Sequence, residues 1–233
     1  MENQDFEARQ QEMILKYQQG NFNQAADIGE RLVQDLNNGH EQSELDDNEM
    51  AQLAQCNYSL AMIYQSMPDL DKAIDYAQRS LGLLRHCYGD NSLEVAQNLN
   101  MLGVLMLIQE ILPQAETYLE QALKIVSGIK DEDSQEYGEF LSNLAQVYRS
   151  QGRYEEAQDA FSRALGPKTN IYGSEHPSVA FTMAGLAFTY KSLGSTETAK
   201  WVYNQALSIM ENTLPANHPD LLKTKKEYQE LTD

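Results

Sequence analysis

Residues 141–165, reading LSNLAQVYRSQGRYEEAQDAFSRAL, place apolar side chains at helical spacing on both sides of Gln151-Gly152. Leu144, Ala145 and Tyr148 make one stripe, and Ala157, Phe161, Ala164 and Leu165 make a second at i, i+4, i+7 and i+8. That is the period of helices with one buried face, not of strands. The pattern predicts two amphipathic helices joined by a glycine turn, and the pair recurs. Ala73, Ala115, Ala157 and Ala199 are separated by one step of 42 residues (115−73). The same step links Leu60, Leu102, Leu144 and Leu186, then Leu81, Leu123, Leu165 and Leu207, and also Tyr64, Met106, Tyr148 and Tyr190. Small residues (Ala61, Gly103, Ala145 and Ala187) follow the first set of leucines. Bulky Leu119, Phe161 and Tyr203 stand four residues after their alanines, with Ala77 the exception. Small residues where helices approach closely, with bulky ones filling the gaps, are what stacked helical hairpins require.

The chain is therefore expected to be all-α, a single solenoid domain over residues 1–233. About five hairpins are predicted, at roughly 6–36, 49–90, 91–133, 134–175 and 176–217, with a capping helix at about 219–231. The first hairpin turns at Gly20, and its register is looser. Ala25 to Ala73 is 48 residues (73−25), and Lys16 stands where later repeats carry tyrosine or methionine. The surplus fits a polar, acidic loop over residues 37–48, NNGHEQSELDDN. The second hairpin is expected to turn at Met67-Pro68-Asp69, the third to carry Pro113 just inside its second helix, and the fifth to begin at His176-Pro177 and turn at Gly194. The closing segment LLKTKKEYQEL, with Lys223, Lys225 and Lys226, reads as a solvating cap.

These positions resemble the tetratricopeptide repeat: a leucine and a small residue on a first helix, an aromatic, a turn glycine, then alanine, aromatic and alanine on a second. The usual repeat is about 34 residues. The longer step here, with the connector Tyr172-Gly173-Ser174-Glu175-His176-Pro177-Ser178-Val179-Ala180 and the partial copy at Tyr88-Gly89 and Val95-Ala96, is similar to the kinesin-light-chain type of that family. The resemblance implies a right-handed α-solenoid whose first helices form a concave face taking extended or helical segments of partner proteins. The implied role is a non-enzymatic adaptor or scaffold. Counting from the marker leucine, the face is expected two residues before it, two after and five after. Those positions hold Tyr58, Met62 and Gln65, then Asn100, Val104 and Leu107, then Ser142, Gln146 and Arg149, then Ala184, Phe188 and Lys191. Kinesin light chains take acidic, tryptophan-bearing peptides through basic groove residues. This chain departs from that pattern, with Arg149 and Lys191 as the evident cations of its groove positions, so a protein or peptide partner that is not strongly acidic is expected. The scarcity of lysine and asparagine also argues against a carboxylate-clamp groove. Two alternatives stand beside this reading: a structural solenoid that self-associates into a homo-oligomer, and a regulatory repeat domain of a larger assembly.

Charge and composition narrow the picture. The net charge of −18, from 35 acidic and 17 basic residues, argues against nucleic acid and anionic membranes as partners. Cys56 and Cys87 lack the spacing of a disulfide framework or zinc site. The N-terminus has no signal-peptide pattern and no apolar run reaches a membrane span, so a cytoplasmic location is expected. His176 and His218 each precede a proline at a helix start, which explains their spacing by architecture, while His40 lies in the acidic loop and His86 near a helix end. No metal site, cofactor or catalytic constellation is expected. The carboxylates at Asp46-Asp47, Asp131-Glu132-Asp133 and Glu155-Glu156 read as solvated charge. Trp201 stands where the three preceding repeats hold Asp75, Thr117 and Asp159. Partial burial against the cap is the simpler reading of that tryptophan, and partner contact the other.

Overall fold

A computed structural model describes residues 3–37, 45–67 and 69–232 of the chain. Among them are eleven α-helices and no strand. They are α1 (Asn3–Gln18), α2 (Phe22–Asn37), α3 (Asp47–Gln65), α4 (Leu70–Tyr88), α5 (Leu93–Ile108), α6 (Leu112–Ile129), α7 (Gln135–Ser150), α8 (Tyr154–Tyr172), α9 (Pro177–Ser192), α10 (Thr196–Thr213) and α11 (Pro219–Gln229). Most of the acidic loop, with His40, and Pro68 of the second turn lie outside the described residues. Tertiary contacts group the chain into two compact units, Met1–Ile111 and Leu112–Asp233.

Local chemistry sets where the helices begin. Asp46 caps α3 with a reciprocal box, accepting from the Glu49 amide at 2.8 Å while the Glu49 carboxylate accepts from the Asp46 amide at 3.1 Å. Ser92 and Ser134 cap α5 and α7 through the amides of Val95 and Tyr137. His176 and His218 cap α9 and α11, their Nδ1 atoms accepting from the amides of Ser178 and Asp220 at 3.1 and 3.3 Å, each followed by a proline in the first turn. Capping thus accounts for two of the four histidines. Gly152 and Gly194 make the hairpin turns after α7 and α9 with φ of +76° and +80°, a region closed to most side chains. Glu110 occupies the corresponding turn after α5 with φ +61°.

In the first unit, α1 pairs with α2 and α3 with α4, while α2 packs on α3 and α4 on α5. In the second, consecutive helices from α6 to α11 pack on one another, and α9 also touches α7 and α11. The core lies between them. Ala61, Ala73, Ala115, Ala145, Ala157, Ala187 and Ala199 are all fully buried, as are Leu60 and Leu102. Smallness matters because the helices nearly touch. A Cβ on Gly185 would stand 2.6 Å from the Phe161 ring, and one on Gly29 2.7 Å from Leu60. Phe6 and Met13 bury the inner face of α1. Its Ile14 and Leu15 stay exposed.

Candidate functional site

The twelve positions marked on the first helices fall into two environments. Ten of them are half-buried, and Ser142 and Ala184 are buried. In the first unit, Tyr58, Met62 and Gln65 project from α3 and Asn100, Val104 and Leu107 from α5. Tyr58 lines a crevice of about 500 Å³ shared with Gln55 of α3 and Gln97 of α5. Both are carboxamides five residues before the marker leucine, outside the counted set. They lie one helical turn from the position two before the leucine and so on the same face. That spacing is the signal which would have found them.

In the second unit, Ser142, Gln146 and Arg149 stand on α7 and Ala184, Phe188 and Lys191 on α9. The Arg149 guanidinium lies 5.0 Å from the centre of the Phe188 ring, a cation–π contact that joins the two helices. Tyr154 adds a tilted ring at 6.5 Å from Phe188. Burial draws the Arg149 pKa down, opposed by the charge of Glu227 and by Tyr203 and Tyr154. Lys191 donates from Nζ to Glu230 Oε2 at 2.8 Å, and that bond lowers the Glu230 pKa. Both cations of the predicted face are thus met by acidic residues at the C-terminal end of the chain. A crevice of about 260 Å³ brings Gln146, Arg149 and Ala184 together with Phe181, Asp220 and Glu227. Phe181 again sits five before its marker leucine.

Ser142 turns inward. Its hydroxyl lies 3.2 Å from Thr182 Oγ1, which also accepts from Lys168 Nζ at 3.0 Å. Lys168, only 6% exposed, is drawn down to a pKa of about 8 by burial. The tyrosines of the repeat do more than fill volume. Tyr64 is buried and donates to Glu30 Oε1 at 2.6 Å, and it accepts from Lys72 Nζ at 3.1 Å. Half-buried Tyr148 carries the Arg153 guanidinium 4.3 Å from its ring centre. Trp201 is 62% exposed on α10, which overturns its burial against the cap. Cys56 is fully buried with its thiol pushed up to about 12 by burial, and Cys87 is a half-buried free thiol. Among the described residues no group of three or more His, Cys, Asp or Glu is placed to hold a metal ion, and no helix is long and apolar enough to cross a membrane.

The short hairpin turns, the buried alanines and the recurring first helices define a helical-repeat protein. The tetratricopeptide repeat family matches residues 52–128, 108–169 and 136–212, and the chain belongs to that family. Its fold is similar to a kinesin light chain of nearly identical TPR-like repeats from Podosopora anserina, with a TM-score of 0.70 at 17% identity over 93% of this chain and 100% of that one. BtubC (BKLC) from P. vanneervenii aligns at a TM-score of 0.71 and 22% identity, over 88% of this chain and 80% of that one. The Rap conjugation gene regulator of plasmid pLS20, solved in complex with the Phr* peptide, aligns at 0.69 and 16% identity, over 97% of this chain and 57% of the regulator. At these identities the likeness is one of fold. A search of curated proteins finds no match to the sequence.

Proposed function

We propose that this chain is a non-enzymatic protein-interaction module, an adaptor or scaffold, that takes a peptide or helix of a partner protein on the faces of its first helices. The observation that carries this reading is the character of those faces. At ten of the twelve marked positions the side chains are half-buried, and they offer apolar contact from Met62, Val104, Leu107 and Phe188 beside amides on Gln65 and Gln146. The family fold is generally an interaction scaffold, and a protein of similar fold holds a peptide in its solved complex. Lys191 is paired with Glu230, and the stacked Arg149 lies in the field of Glu227, so acidic side chains already balance both cations of the face. The partner segment is therefore not strongly acidic. Two free cysteines accord with a reducing, cytoplasmic setting.

Val104→Asp and Phe188→Asp test the assignment. Each is expected to abolish capture of the partner retained by the parent chain while leaving helicity and melting temperature nearly unchanged. Variants that capture the partner as the parent does would remove the proposed face, and variants that unfold would place both residues in the core. Ile14 and Leu15, 43% and 51% exposed on α1, favour self-association as the second reading. Light scattering that finds only monomer at micromolar concentration would remove it.

A further inference from the structure

The last copy of one repeat position breaks the rule of the others. Ala54, Ala96, Gly138 and Ala180 follow one another at the repeat step, and all four are buried. The position faces the second helix of its own hairpin. Ser80 of α4 donates to the Ala54 carbonyl at 2.8 Å, a Cβ on Gly138 would stand 3.0 Å from Pro167 of α8, and Ala180 clusters with Ala206 and Leu207 of α10. One step further on, α11 carries Leu222 there, large and 52% exposed. The helix packs on α10 and α9 and buries Leu221 and Thr224. Its opposite side presents Leu222 with exposed Lys223 and Lys226, one helical turn apart.

A matching face lies on α1. That helix packs on α2 through Phe6 and Met13 and leaves Ile14 and Leu15 outside. Exposed Glu7 stands seven and eight residues before them, and exposed Glu12 three before Leu15, so the four share the outer side of the helix. Asp5 is held by Arg9, Lys225 by Glu211 and Glu230 by Lys191. Glu7 and Glu12 on one face, and Lys223 and Lys226 on the other, enter no ion pair among the described residues. Each face thus sets aliphatic side chains between two charges, acidic on α1 and basic on α11.

We propose that the outer face of α11 docks the outer face of α1 of a second copy of this chain. Leu222 lies against Ile14 and Leu15, and Lys223 and Lys226 meet Glu7 and Glu12. Because the two surfaces differ, copies add head to tail and do not close on a two-fold axis. The net charge of −18 opposes the approach of two copies, but a Debye length of about 8 Å at physiological ionic strength confines that repulsion to the surfaces that meet. The contact rests on the self-association reading given above and uses none of the marked first-helix residues.

Sedimentation velocity of the full chain across the micromolar range tests it. The parent is expected to sediment faster as concentration rises. Leu15→Asp and Leu222→Asp, both at exposed positions, are each expected to keep the parent's melting temperature and to weaken association by about tenfold or more, as the loss of one buried leucine contact implies. An equimolar mixture of the two is expected to form a one-to-one pair and nothing larger, since one intact face remains on each copy. Glu7→Lys with Glu12→Lys, or Lys223→Glu with Lys226→Glu, takes the place of a leucine variant that fails to fold. A parent that stays monomeric overturns the proposal together with the self-association reading. If the parent associates but either variant alone associates as well as the parent, or the mixture stays monomeric, self-association stands and this contact is overturned.

Discussion

Two residues hold conformations or charges that their own chemistry disfavours. Glu110 sits at φ +61° where the matching turns carry Gly152 and Gly194. A left-handed backbone costs a residue with a Cβ about 1 to 2 kcal/mol, partly offset by the extra chain entropy a glycine loses on folding. Glu110→Gly is therefore expected to stabilise the chain by about 1 kcal/mol, read as a higher urea midpoint at unchanged slope. Lys168 is the second. Its native pKa of about 8 lies below the 10.5 of a free lysine, so the unfolded chain holds more protons between those values. Stability is then expected to rise with pH from about 8 toward 10 and to carry the full burden of a buried charge below 8. Lys168→Met is expected to flatten that rise and to stabilise the chain at pH 7 by on the order of 2 kcal/mol, less the lost bond to Thr182. Unfolding curves at pH 7, 8 and 10 check both statements. The turn at Glu110 was legible from the repeat step, but burial of Lys168 was not, because a lysine in sequence reads as surface.

Among the elements, the helical hairpins followed from alternating small and large apolar positions, and the structure places the matched alanines in full burial. Ala157→Leu is expected to lose about 1 to 3 kcal/mol by overpacking, while Glu155→Gln, on an exposed position, is expected to melt like the parent. Equal melting of the two variants would contradict the packing. The face of the first helices was only partly legible. Counting from one leucine reached two residues before it and stopped, so Gln55, Gln97 and Phe181, a turn earlier, went unmarked. The pairing of Lys191 with Glu230 spans 39 residues and had no local signature. Ser142, whose hydroxyl faces Thr182, shows the opposite limit: helical spacing assigns a side, and a partner on the next helix decides how deep that side lies.

For the whole molecule, charge decides more than shape. With a net charge of −18, capture of a basic partner segment is expected to weaken as salt rises from 50 to 500 mM, the Debye length falling from about 10 Å at 0.1 M toward about 3 Å at 1 M. A strongly acidic peptide is expected to bind poorly across that range, and tight, salt-sensitive binding of one would show that Arg149 and Lys191 outweigh the surrounding acidic charge. Hydrogen–deuterium exchange of the chain with and without its captured partner segment tests most directly whether partners are taken by the first helices. Added protection is predicted in α3, α5, α7 and α9, whereas protection confined to the second helices α4, α6, α8 and α10 would contradict it.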